Sequence, residues 1–143
     1  MIEGNVIRRE LVVDSNHQWF VNMWVALQGR AQEVRFKVDT GCNALVLSHS
    51  TLKKLGFSVS EASLAKLQSI TGKHAGGEKS SYKSLGEVSL FSHEDRVGHI
   101  CDVQAICHAA RKTNDLIGTA VLKQFRKVDF NLSGDKYMEL LKV

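Results

Sequence analysis

Apolar and polar residues alternate over much of this chain, and the alternation predicts strands. Val6 to Val13 is a first strand, and Trp19 to Leu27 a longer second one. In the second, Trp19, Val21, Met23, Val25 and Leu27 share one face, while Asn22 and Gln28 lie on the other. Gly29-Arg30-Ala31-Gln32 is expected to turn the chain. Val34, Phe36 and Val38 then mark the inner face of a third strand, with Arg35, Lys37 and Asp39 on the opposite face. The second and third strands form a predicted β-hairpin that runs directly into Asp39-Thr40-Gly41.

After the short apolar run Ala44 to Leu47 the period changes. Ser48 is an expected helix N-cap, Leu52 and Leu55 an inner stripe, and Gly56 the stop. Residues 58–68 are ambiguous, although Ser58-x-x-Glu61 resembles a capping box. Gln68 to Lys83 is polar and glycine-bearing, as expected of an exposed hairpin or loop. Leu85 to Phe91 and Gly98 to Cys107 are further strands around a charged turn, Ser92 to Arg96. Leu116-Ile117-Gly118 leads into a short helix capped by Thr119, with Val121, Leu122 and Phe125 buried. Lys127 to Leu132 and Tyr137 to Val143 close the pattern as a hairpin around Ser133-Gly134-Asp135. The sum is a mainly β domain, a curled sheet or closed barrel with one or two short helices.

Composition narrows the class. A chain of 143 residues with 43% hydrophobic residues suits one domain over residues 1–143, with a core that needs no disulfide. The net charge of +4 is mild, and Lys and Arg are scattered. Basic stripes with interleaved aromatics are missing, so nucleic acid is not an expected partner. Nor is a membrane: no window approaches the apolar length of a spanning helix. Three cysteines, Cys42, Cys101 and Cys107, and an N-terminus unlike a leader lead to the expectation of a reducing, cytoplasmic compartment. His99, Cys101, Cys107 and His108 match no standard zinc spacing, and Cys107 and His108 would point to opposite faces of a strand. No metal or other cofactor is expected.

The chemistry concentrates at Asp39-Thr40-Gly41. A carboxylate at the end of an apolar strand must be paired, hydrogen-bonded or protonated. Gly41 permits close backbone approach, so its N–H can donate to that carboxylate, and Thr40 adds a hydroxyl able to bond across an interface. A second motif, Leu116-Ile117-Gly118 followed by a helix, stands downstream. Over about residues 18–143 this order of elements resembles the retropepsin-like aspartic proteases, the family of retroviral proteases and their single-domain cellular relatives.

The resemblance implies a homodimeric aspartic endopeptidase acting on polypeptide substrates. One Asp-Thr-Gly per chain implies an active site built from two copies of Asp39. By the same resemblance Thr40 makes cross-subunit hydrogen bonds and Gly41 orients Asp39. Substrate would meet Asn43, Ile117 and Gly118, and a flap over Gln68 to Lys83 that includes Thr71, Gly72, Gly76 and Gly77. The chain ends, Val6 to Val13 and Tyr137 to Val143, are candidates for a dimer sheet. This sequence departs from the retroviral pattern at Cys42, where Ala is usual, at Asn43, where an Asp stands, and at Thr119, where an Arg pairs with that Asp. Both halves of the ion pair are absent together. Two rival readings stay open: a catalytically silent binding or dimerisation module of the same fold, and a small basic β-barrel that binds nucleic acid.

Overall fold

A computed structural model describes residues 6–73, 79–110 and 113–142. Ten strands are joined in one sheet, ordered β5-β6-β7-β4-β8-β3-β2-β1-β10-β9. A further pairing of β6 with β2 closes six of them, β2, β3, β8, β4, β7 and β6, into a barrel. The fold is the mainly β class expected from the pattern, a closed barrel with short helices.

The first hairpin shows how the sequence sets register. β2 (Trp19–Leu27) and β3 (Arg30–Val38) pair from Leu27↔Arg30 to Phe20↔Lys37. The turn is therefore only Gln28-Gly29, tighter than the Gly29 to Gln32 turn expected above. Both residues have positive φ, 49° and 83°. That is the two-residue turn whose twist matches its flanking strands. Arg30, Ala31 and Gln32 are freed to extend β3.

β6 (Lys79–His93) is longer than expected because it serves three partners. Its first residues pair with β5 (Ser69–Lys73), its length with β7 (Val97–His108), and Ser89 to Phe91 with β2. Register shifts at Ser84/Gly86 and Leu90/Phe91 bend it between these duties, and Gly86 supplies φ of 78°. The charged turn before β7 is one 3-10 turn, Glu94–Arg96.

Three short helices close the barrel. α1 (His49–Lys54) is capped by Ser48, whose hydroxyl accepts from Thr51 N–H. α2 (Glu61–Ala65) settles the ambiguous stretch, but its cap is Ser60, not Ser58. α3 (Thr119–Leu122) is preceded by Gly118 at the cap position, without a side-chain cap bond, so Thr119 lies inside the helix. The core beneath joins Met23, Val25, Phe36, Leu45, Leu47, Leu52, Leu90 and Ile117, all fully buried. Each such side chain contributes about 1.5–3 kcal/mol. Among the described residues no helix is long and apolar enough to cross a membrane.

The terminal strands pair within one chain. β1 (Val6–Val13) gives its first half to β10 (Tyr137–Leu141) and its second half to β2, while β10 also pairs with β9 (Lys127–Asn131). Among the described residues β9 is thus one edge of the sheet and β5 the other.

Candidate active site

β8 (Leu116–Ile117) lies between β3 and β4 (Leu45–Val46), parallel to the first and antiparallel to the second. The chain that links β3 to β4, residues 39–44, must therefore pass over the end of β8. This crossing builds the site.

Asp39 N–H donates to the Ile117 carbonyl at 3.0 Å, which carries the β3–β8 pairing one residue past the strand. The half-buried Asp39 carboxylate accepts from Gly41 N–H at 3.0 Å through Oδ1. Cys42 N–H donates to the Asp39 carbonyl at 3.1 Å and tightens the turn. A Cβ on Gly41 would stand 3.3 Å from Oδ1, so a side chain there would crowd the carboxylate. Thr40, Gly41 and Asn43 are exposed.

The far side of the loop is fastened to α3. Thr119 N–H donates to the Cys42 carbonyl at 2.9 Å and Ala120 N–H to the Asn43 carbonyl at 2.6 Å. Thr119 Oγ1 donates to Asn43 Oδ1 at 3.3 Å. A neutral hydrogen bond thus stands where the retroviral pattern has an ion pair. Gly118 sits beneath the crossing. A Cβ there would lie 2.2 Å from the Cys42 carbonyl oxygen and 2.8 Å from that of Ala44. No side chain fits this gap.

Burial pushes the Cys42 thiol above its ordinary pKa, and the nearby Asp39 charge adds to this against a hydrogen bond to the Ala44 carbonyl. The thiol form is favoured, which works against Cys42 as an activated nucleophile.

The structure brings Asp39, Thr40, Gly41 and Asn43 together with Ile117 and Gly118. Ile117 enters through its carbonyl, since its side chain is wholly in the core. Thr71 and Gly72 lie in β5, separated from β3 by β6 and β2 across the barrel closure. Gly76 and Gly77 lie outside the described residues. Two contributors escape the sequence reading. Thr119 is one, through its hydrogen bond to Asn43: its place opposite that residue is expected, but a threonine beside a glycine looks like a cap. Asp115 is the other. Its carboxylate accepts from Ser48 N–H at 2.7 Å, Ser48 Oγ at 3.2 Å and Thr51 Oγ1 at 2.9 Å. Its carbonyl accepts from Lys37 N–H at 2.9 Å. An acidic residue just before a buried apolar pair was the available signal.

Among the described residues no three His, Cys, Asp or Glu side chains are grouped to hold a metal ion. A cleft of about 490 Å³ lies at the other end of β8, lined in part by Asp115, Ser50 and Lys53, and Asp39 does not line it.

Comparison with known proteins agrees with this geometry. A family model described as aspartyl protease matches residues 23–96. The crystal structure of a retropepsin-like aspartic protease from Rickettsia conorii is similar with a TM-score of 0.60 and 18% identity. The match covers 96% of this chain and 94% of that one. At this identity the likeness concerns the fold. No curated protein matches the chain.

Proposed function

The chain belongs to the aspartyl protease family, and we propose that it works as a homodimeric aspartic endopeptidase with one Asp39 from each copy. The observation that carries this reading is the setting of Asp39. Its backbone is held by Ile117, one carboxylate oxygen is held by Gly41, and the loop around it faces outward.

A lone carboxylate does not perform both halves of peptide hydrolysis. Acid–base work needs groups poised in different protonation states. Two carboxylates in contact achieve this, because like charges that close share one proton. The ionised Asp39 takes a proton from a water, which attacks the peptide carbonyl. The protonated Asp39 gives its proton to the carbonyl oxygen; the first Asp39 then passes the water's proton to the leaving nitrogen as the C–N bond breaks, and the second recovers its proton as the new carboxyl forms. Thr40, exposed at the loop tip, bonds across the two-fold axis. Asn43 offers its amide N–H groups to substrate while Thr119 holds its Oδ1. Gly118 lets the loop and α3 approach. The paired strands β5 and β6, with Thr71 and Gly72, serve as the flap that excludes water.

The test is cleavage of a diverse peptide library, read by mass spectrometry over acidic to neutral pH, with wild type and Asp39→Asn in parallel. Cuts confined to the wild type, rising faster than linearly with protein concentration, are expected. Cleavage by the Asn variant would remove Asp39 from the mechanism. A folded chain that cuts nothing would favour the silent binding module.

A further inference from the structure

The 490 Å³ cleft lies between β3, α1 and residues 113–115. Three independent features coincide in it.

The first is an open strand edge. β3 pairs with β2 along nearly its whole length, but on its other side β8 meets only Lys37 and Val38. Lys37 N–H points to that side, toward Asp115. The two-residue repeat of a strand turns the N–H groups of Glu33 and Arg35 the same way. Among the described residues no strand pairs with them there, and both residues line the cleft. The Glu33 carbonyl is engaged by the Gln32 amide at 3.2 Å.

The second feature is charge. Arg35, Lys53 and Lys54 line the cleft against Glu33 and Asp115. Both Asp115 oxygens are already taken by Ser48 and Thr51. The Arg35 guanidinium lies over the Phe20 ring, 5.2 Å from its centre, which holds it at the cleft. Three cations face two carboxylates, so the cleft keeps one positive charge in excess. The third is Thr113, which lines the cleft and whose buried Oγ1 has no hydrogen-bond partner among the described residues.

We propose that this cleft docks an extended acidic polypeptide segment, added as a strand to the Glu33–Arg35 edge with its carboxylates against Lys53, Lys54 and Arg35. Strand addition supplies main-chain hydrogen bonds, and the cations select the side chains. Four residues along β3 put Arg35 about 13 Å from Asp39. The docked segment lies beside the catalytic loop, and the proposal stands whether or not the chain cleaves peptides.

The full chain carrying Asp39→Asn, so that no probe is cut, is titrated with two labelled peptides, one alternating Glu and Thr, the other Gln and Thr. Fluorescence anisotropy is expected to show roughly ten-fold tighter binding of the Glu peptide, lost on raising salt. Lys53→Glu with Lys54→Glu is expected to abolish the preference. Equal affinities for the two peptides, or a preference that survives the charge reversal, would overturn the proposal. Hydrogen exchange on the chain with both lysines intact decides the geometry without any folding risk from that variant. The Glu33 and Arg35 amides gain protection when the Glu peptide is bound; binding without that protection would refute strand addition.

Discussion

Asp39 and Asp115 stand at opposite ends of the short β3–β8 pairing and meet opposite surroundings. Asp115 precedes β8, and three donors from Ser48 and Thr51 occupy both its oxygens. Asp39 follows β3, and one backbone N–H, from Gly41, reaches Oδ1. A carboxylate surrounded by the donors of its own chain is fixed and spent. One held by a single backbone bond is oriented yet keeps acceptor capacity for something outside the chain. The same two strands thus carry one aspartate whose oxygens its own chain occupies and one that its chain leaves more open, separated by how many donors each was given.

Crossed substitutions give the sharpest break. Asp39→Asn is expected to lower peptide turnover by about a thousand-fold or more, while urea melts shift by no more than about 0.5 kcal/mol. Asp115→Ala should do the reverse. Losing three bonds to a charged group and orphaning Ser48 N–H costs about 2–4 kcal/mol, and activity per folded molecule should survive. If Asp39→Asn destabilises as much as Asp115→Ala does, the two aspartates are not different in kind.

Gly118→Ala tests whether the crossing loop belongs with either. The 2.2 Å gap to the Cys42 carbonyl cannot hold a methyl group, so backbone must move. Stability is expected to fall by about 1–3 kcal/mol, and activity to fall with it, since the same loop carries Asp39. Unchanged turnover in the folded variant would uncouple the loop from the site.

A smaller effect is expected at Thr119. Thr119→Val removes the bond to Asn43 Oδ1 and should cost under about 1 kcal/mol. If Asn43 meets substrate, KM rises more than kcat falls, and Thr119→Ser restores KM. A change in kcat alone would place Thr119 in the support of Asp39.

At neutral pH the smallest difference lies between thiols. Cys42 sits beside Asp39, and Cys101 is buried in the core, where burial first, then the Asp102 charge, pushes its pKa up to about 12. Against an ordinary value of 9.0 this favours the native state fully below pH 9. The unfolded thiol ionises first as pH rises, so that stability is lost progressively from about pH 9 to 12. Alkaline melts of Cys101→Ala should lack part of this decline. Alkylation near neutral pH should label Cys42 before Cys101, and both more slowly than a free thiol. Faster labelling of Cys42 than of a free thiol would contradict its raised pKa.

Much of this framework was legible in the sequence. The bounds of β1 and β2 follow from alternation and were read to the residue, as was the Ser48 cap. What escaped depended on pairing at a distance. The β2–β3 turn was read too long because Arg30 and Ala31 look like turn residues until their ladder partners, Leu27 and Ala26, are known. Ser60, not Ser58, caps α2, since serines two apart offer the same chemistry and only the backbone path chooses. Asp39-Thr40-Gly41 stood out because a carboxylate is out of place at the end of an apolar strand. Asp115 did not, because its meaning lies in Ser48 and Thr51, far away along the chain. Which ladder each terminal strand joins is likewise set at a distance: Val6 to Glu10 finds its register on β10.

That pairing has a consequence for how the chain acquires its shape. β1 serves as a hinge pin within the sheet, its first half on β10 and its second on β2. The rung from Val6 to Leu141 spans almost the whole polypeptide, and closing so large a loop is slow because little local structure prepays the entropy. During synthesis the barrel strands have partners early, while half of β1 waits for a hairpin not yet made. The earliest moment at which the sheet is whole is therefore set by the arrival of β10 and not by the assembly of the Asp39 loop.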